Sequence, residues 1–291
     1  MCTLVLSRRP GAAWPLVLAA NRDELAERPA RPPGRHWPDR AEVVAGLDLQ
    51  AGGSWLGIND HGVIAGVLNR PGTLGPAAGK RSRGELVLEA LDHADARAAA
   101  HALSDLDPDA YRPFNLVIAD NRDAFWLRHA GALPGFAFRT ASGVWREIAP
   151  HQIPGAALGG AVRPPAIECC AIPAGVSMIT AYDLNDSASG RIRRYLPRFR
   201  SAPPPDPSRD DWDAWIALLA DRDSEDGHPR SAMTVVTDGA YGTCSSCLIA
   251  LPARGTPVMK FADGRPDQVP FVPVPLRAGS DADRGGNISA S

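Results

Sequence analysis

Short apolar runs separated by turn residues dominate the first seventy positions. Cys2–Ser7 and Trp14–Ala20 flank Arg8–Ala13, where Pro10-Gly11 marks a turn, and together they predict a β-hairpin. The polar, proline-rich stretch Asn21–Arg40 predicts a loop. Gly53–Ile58 and Val63–Leu68 flank Asn59-Asp60-His61-Gly62 and predict a second hairpin. Ser82-Arg83-Gly84-Glu85 has the form of a capping box, opening a helix with apolar positions at Leu86, Leu88 and Leu91. The alanine-rich Ala94–Leu106 predicts another helix. Strands are expected at Asn115–Ala119 and Ala124–His129, at the pair Phe136–Arg139 and Gly143–Ile148, and at Val176–Ala181. Ala188–Phe199 predicts a basic helix, and Pro203-Pro204-Pro205 ends it. In Asp211–Ala220, Trp212, Trp215, Ile216 and Leu219 recur at helical spacing and read as core. Thr234–Thr237, Thr243–Leu251 and Pro257–Phe261 complete the pattern as strands.

The order is strands, helices, strands, helices, strands, with no βαβ alternation. That excludes a doubly wound parallel sheet and favours an α+β fold, an αββα sandwich of two mostly antiparallel sheets with helices outside. No linker divides the chain, so residues 1–276 are expected to form one domain, and the small polar residues 277–291 a disordered tail. Charge is balanced, with 31 Lys and Arg against 33 Asp and Glu for a net −2, which removes nucleic acid as an expected partner. No apolar run reaches the ~20 residues of a membrane helix. The opening lacks a signal-peptide pattern, so a cytoplasmic protein is expected. Five cysteines, an odd number, argue against a disulfide framework there.

Cys2 is the residue with the most chemical potential. Cysteine is small enough for Met1 to be removed, which leaves a thiol and a free α-amine on one residue. Their ordinary pKa values, near ~8.5 and ~8, put both within reach of neutral pH. The amine can then take the thiol proton without a histidine. If the first two strands pair antiparallel, the segment after Ala20 lies beside Cys2. Asp23 can then hold the α-ammonium, and Arg22 can favour thiolate as a nearby cation.

These residues sit within longer motifs. Met1-Cys2-Thr3, Leu18-Ala19-Ala20-Asn21-Arg22-Asp23-Glu24, Arg28-Pro29, Trp37, Ala45-Gly46-Leu47-Asp48, Gly52-Gly53-Ser54-Trp55-Leu56-Gly57 and Val67-Leu68-Asn69-Arg70 resemble the NRDE family, also called transport and Golgi organisation protein 2. Weaker echoes follow at Ser82-Arg83-Gly84, Phe114-Asn115-Leu116, Leu184-Asn185-Asp186 and Tyr241-Gly242-Thr243. The resemblance implies an N-terminal-nucleophile hydrolase fold and, more distantly, similarity to bile-salt hydrolases and penicillin V acylases, whose N-terminal cysteine attacks an amide. On that resemblance Cys2 matches the nucleophile, Asp23 the adjacent carboxylate, Asn69 an oxyanion-hole amide and Asn185 a second asparagine near the site. The family pattern departs at Cys244, where an Arg is usual; Arg191, Arg193 and Arg194 are the candidates to supply that charge. Cys244-x-x-Cys247 has the spacing of a metal or redox pair. Positions three apart in a strand face opposite ways, and no second pair completes a ligand set, so no metal site is expected.

Two functions remain open. One is an N-terminal cysteine amidohydrolase acting on a small-molecule amide or thioester without a cofactor. The other is a haem- or lipid-handling trafficking protein on the same scaffold, with haem as cargo and Cys2 as an iron ligand.

Overall fold

A computed structural model describes residues 2–131, 166–224 and 227–276, with the strand segments 137–139 and 145–147 between them. The expected tail at 277–291 lies outside the described residues. The first sheet uses β1 (Thr3–Arg8), β2 (Leu16–Leu25), β12 (Gly175–Ile179), β13 (Tyr241–Leu251), β14 (Val258–Ala262) and β15 (Val272–Pro273), in the spatial order β12-β1-β2-β13-β14-β15. The second uses β3 (Ala30–Gly34), β4 (Val43–Asp48), β5 (Leu56–Asn59), β6 (Ile64–Asn69), β7 (Phe114–Ala119), β8 (Ala124–His129) and β11 (Ile167–Ala171), in the order β11-β8-β7-β6-β5-β4-β3. Among the described residues, strands β9 (Ala137–Arg139) and β10 (Trp145–Glu147) pair with each other. Every pairing between these strands is antiparallel.

Alternation along the strands builds four layers. Leu4, Leu6, Leu16 and Leu18 of the first sheet meet Val44, Ile58, Ile64 and Val117 of the second in the central core. The alternate residues Val5, Val17 and Ala19 face outward onto helices α3 (Gly190–Ser201) and α4 (Asp213–Leu219) through Tyr195, Phe199, Trp212 and Trp215. On the opposite side Val43, Ala45 and Leu116 pack on α1 (Arg83–Leu91) and α2 (Ala96–Ser104). The result is the αββα sandwich expected from the element order, and the two tryptophans are core as their spacing implied.

Three local expectations are corrected. Asn21–Leu25 is strand, not loop: β2 runs through it because β13 pairs with it from Leu16 to Leu25 and its polar groups find buried partners. Within the same expected loop, Pro32 and Pro33 sit in β3, at the sheet edge, where a missing N–H costs no ladder bond. Thr234–Thr237 is not a strand; Val235 instead bonds Thr243, its N–H donating to Thr243 Oγ1 at 2.8 Å while its carbonyl accepts from the Thr243 N–H at 3.0 Å. Strands β4 and β11 carry no alternation signal strong enough to have been expected. The capping box at α1 is half present. Ser82 Oγ accepts from the Gly84 N–H at 3.2 Å, whereas the Glu85 carboxylate pairs with Arg81.

Candidate active site

The β1–β2 register puts Thr3 opposite Asn21, and the residue before Thr3 beside Arg22 and Asp23. Cys2 Sγ lies 3.7 Å from the Asp23 carbonyl oxygen. Side-chain alternation then divides the polar run between two faces. Cys2 and Arg22 point between the sheets, in register with Leu4, Leu6 and Leu18. Thr3, Asn21 and Asp23 point to the α3–α4 side, in register with Val5, Val17 and Ala19. Asp23 therefore cannot be the partner of the Cys2 sulfur.

The Asp23 carboxylate is fully enclosed. One oxygen accepts from Arg191 Nη1 at 2.9 Å, the other from Thr243 Oγ1 at 2.7 Å. Arg191 Nη1 also donates to Thr3 Oγ1, and its Nη2 donates to the Arg230 carbonyl at 2.8 Å. Of the three arginines offered by the sequence, Arg191 is the one at the site. It is buried although it belongs to a helix that reads as basic and solvated. Asn21 serves the fold: its amide donates to the Leu219 and Met233 carbonyls at 3.0 and 2.9 Å and its oxygen accepts from Ser246 Oγ at 2.7 Å. A bulge in β13 between Thr243 and Ser245 keeps both neighbours of Asp23 and Arg22 in place, and Cys244 is the extra residue. The sulfur of Cys244 lies 3.4 Å from the Glu24 carbonyl oxygen, while Cys247 is buried in the central core.

On the other face, Cys2 opens into a cleft of about 320 Å³ whose walls include Arg22, Trp55, Asn69 and Arg83. The Arg22 guanidinium lies over the Trp55 ring, 4.4 Å from its centroid, and is 8% exposed. Glycines fix this wall. A Cβ at Gly46 would lie 2.3 Å from the Trp55 ring, and one at Gly53 would lie 2.5 Å from the Gly84 carbonyl carbon. These contacts explain two motif glycines and join the Gly52-Gly53-Ser54-Trp55 loop to the start of α1. Asn69 ends β6 at the same cleft, and its side chain makes no hydrogen bond among the described residues. Asn185 is not among the residues lining this cleft. It adopts a left-handed φ of 59°, donates to Ser177 Oγ at 3.2 Å and accepts from the Met178 N–H at 2.8 Å, so its side chain holds the chain to β12.

Burial pushes the Cys2 thiol up; the Asp23 carboxylate adds to the effect and Arg22 pulls against it. Burial likewise raises Tyr241, whose hydroxyl donates to the Asp23 carbonyl at 3.2 Å. Sequence reasoning missed Thr3, Tyr241 and Thr243 as parts of the site. Tyr241-Gly242-Thr243 was visible as a motif, but only the long-range β2–β13 pairing shows what it touches. Among the described residues no group of three His, Cys, Asp or Glu is arranged to hold a metal, and no helix is long and apolar enough to cross a membrane.

The comparisons with known proteins fit this geometry. In solved structures, the chain superposes on the Caenorhabditis elegans N-acylethanolamine-hydrolyzing acid amidase ortholog with a TM-score of 0.51 at 10% identity, covering 94% of this chain and all of that one. Penicillin V acylase from Agrobacterium tumefaciens gives 0.49 at 12% identity, over 90% of this chain and 83% of that one. At such identities the likeness is one of fold, and the fold is N-terminal-nucleophile-hydrolase-like. By sequence, the Bos taurus Transport and Golgi organization protein 2 homolog is 40% identical over 114 residues, and the Homo sapiens homolog 37% identical over 114. Each match spans 37% of this chain and 40% of the relative, so the chain aligns with about two fifths of the curated relatives' length. The profile of the Transport and Golgi organisation 2 family matches residues 1–140, the part that contributes Cys2, Arg22, Asp23, Asn69 and Arg83. Over residues 1–140 this chain is thus similar in sequence to the Transport and Golgi organisation 2 family.

Proposed function

We propose that this protein is an N-terminal cysteine amidohydrolase acting on an amide or thioester. The observation that supports the reading is the split of the β2 motif: a thiol in the cleft, and on the other face of the adjacent strand a buried carboxylate held by Arg191 and Thr243. Once Met1 is removed, Asp23 fixes the α-amine, which takes the thiol proton. The thiolate attacks the carbonyl carbon and a C–S bond forms. The resulting oxyanion accepts from the Asn69 amide, a donor worth about 3 kcal/mol in such sites. The C–N or C–S bond to the leaving group breaks as the α-ammonium returns the proton to it. Water then adds to the acyl-enzyme thioester, releasing the acid and restoring the thiol. Arg22, held over Trp55, supports negative charge on sulfur.

Intact-mass spectrometry after exposure to p-nitrophenyl butyrate tests this. The expected product lacks Met1 and carries one butyryl group on Cys2, and Cys2→Ala takes none. Labelling of protein that retains Met1, or labelling equal in Cys2→Ala, overturns it.

One observation favours the second reading, a haem- or lipid-handling protein. Cys244 stands where the family resemblance leads one to expect Arg, so the chain lacks at that position a charge the hydrolase pattern uses. A haem titration followed by absorbance separates the two: a carrier gives a thiolate-type spectrum that is lost in Cys2→Ala, with no acylation.

A further inference from the structure

The charge of the cleft differs from the charge of the chain. The whole sequence carries −2, yet the cleft lining holds Arg22, Arg28, Lys80, Arg81, Arg83 and Arg112. The only carboxylates among its lining residues are Glu24 and Asp48. Two of these cations are already neutralised: Arg28 by Asp48 at 2.6 Å and Arg81 by Glu85 and Glu89 at 2.7 and 2.6 Å. Arg112 spends its guanidinium on the Gly72, Leu74, Gly75 and Pro76 carbonyls. Lys80 is bound to the Asp109 carbonyl.

Arg22 and Arg83 are different. Neither makes an ion pair with a carboxylate among the described residues. Arg22 lies flat on Trp55. Arg83 is anchored through one nitrogen only: Nη1 donates to Thr73 Oγ1 at 2.9 Å and to the Pro113 carbonyl at 3.0 Å. Among the described residues the remainder of its fork has no partner. The Gly53–Gly84 contact presses the Trp55 loop against the first turn of α1, so both guanidinia line one wall with Cys2. Burial, with Arg112 and Arg28 nearby, pushes Arg83 down to about 10, and the charge of Cys2 works against that shift. A half-buried cation crowded by like charge is stabilised by an incoming anion, and a fixed arginine fork matches a carboxylate or phosphate.

We propose that Arg83, with Arg22 lining the same cleft, forms an anion subsite, and that the acyl compound reaching Cys2 carries a carboxylate or phosphate that seats there. This rests on the cysteine-hydrolase reading for the word acyl, but not for the anion. Titration calorimetry with inorganic phosphate and with glutarate therefore comes first, using the full chain. Saturable binding is expected in the native protein and in Cys2→Ser. Arg83→Gln is expected to weaken it about tenfold or more, Arg83→Lys less, and the exposed Arg122→Gln not at all. Tighter binding of phosphate or of glutarate identifies the group. Acylation by mono-p-nitrophenyl glutarate is then compared with p-nitrophenyl butyrate; a preference for the anionic ester is expected, and its partial reduction in Arg83→Lys supports the subsite even if Arg83→Gln fails to fold. Anion binding without acylation refutes the hydrolase reading and leaves the subsite standing. No saturable binding, equal binding by the Arg83 variants, or equal use of both esters overturns the subsite, whatever Cys2 does.

Discussion

Replacing Arg191 by leucine removes the cation behind Asp23 and leaves a carboxylate sealed in the sheet–helix layer. The two side chains are 3% and 0% exposed, and the ion pair is 2.9 Å long. Their Coulomb attraction at that distance is about 6 kcal/mol at an effective dielectric of ~20. Much of it offsets the desolvation of both groups. What the substitution reveals is mainly the penalty of a buried carboxylate deprived of its cation, about 3–5 kcal/mol. Arg191 also ties Thr3 of β1 and the Arg230 carbonyl, so these partners are orphaned together. Urea denaturation should show the midpoint falling by that loss, with a melting temperature lower by about 10 °C. Asp23→Leu alone should cost a similar amount, because it removes the carboxylate that balances the buried Arg191 charge. The double variant Arg191→Leu/Asp23→Leu should cost less than the sum by about 2 kcal/mol or more. Acyl labelling of Cys2 should fall in the single Arg191 variant, measured below its new midpoint. A loss under about 1 kcal/mol, or strict additivity in the cycle, would refute the picture of a dry pair setting the site.

Thr243→Val removes the second hydrogen bond to Asp23 and should cost about 1.5–3 kcal/mol by the same denaturation measurement. The pH dependence of Cys2 alkylation by iodoacetamide reports its thiolate. Burial puts the half-maximal rate above that of a free cysteine; Asp23→Asn removes a charge that raises the thiol and should shift the midpoint down, whereas Arg22→Gln should shift it up. Asn69→Ala should slow acylation about 100-fold while leaving the denaturation midpoint within about 0.5 kcal/mol, since its side chain has no hydrogen bond to lose among the described residues. Gly53→Ala drives a Cβ onto the Gly84 backbone and should cost about 1–3 kcal/mol, with reduced Cys2 labelling because the cleft wall moves.

The fold was legible where one face of an element is apolar and its partner is close in sequence. The β1–β2, β5–β6 and β7–β8 hairpins and helices α1, α3 and α4 fall within a few residues of their expected places. What escaped was set by distant partners. Asn21-Arg22-Asp23-Glu24 has a loop's composition, and it is a strand because Tyr241–Ser246 pairs with it across more than two hundred residues. Asp23 beside Cys2 was legible from hairpin geometry alone. Arg191 was one of three equal candidates, since a helix of mean basic character does not reveal which arginine turns inward. Arg83 showed only as part of a cap signal, and its place in the cleft depends on the Gly53–Gly84 contact between segments thirty residues apart.

The parity of β2 ties these observations together. A strand has two faces, and a motif of four polar residues must send two to each. Here Asn21 and Asp23 go to the helix layer, where Leu219, Met233, Ser246, Thr243 and Arg191 satisfy them. Arg22 and Glu24 go to the cleft, with Trp55 and Arg28. The two groups cannot exchange roles without a one-residue slip, which would bury Arg22 and Glu24 among Tyr195, Trp212 and Trp215 and turn Asn21 toward the central core. The bulge at Cys244 lets β13 keep pace on both sides of that division: Thr243 meets Asp23 on the helix face and Ser245 stands opposite Arg22. The same parity decides the chemistry. On the proposed mechanism the far-face carboxylate serves the amine of Cys2 and not its sulfur, so an intact Met1 would replace that amine by an amide, which cannot accept the thiol proton. Deleting one residue from Arg8–Ala13 tests the parity without touching the site: the shorter turn shifts β1 against β2 or strains the hairpin, and either outcome should abolish Cys2 acylation. Retained acylation in that variant would show that the sulfur and the carboxylate do not depend on the strand register.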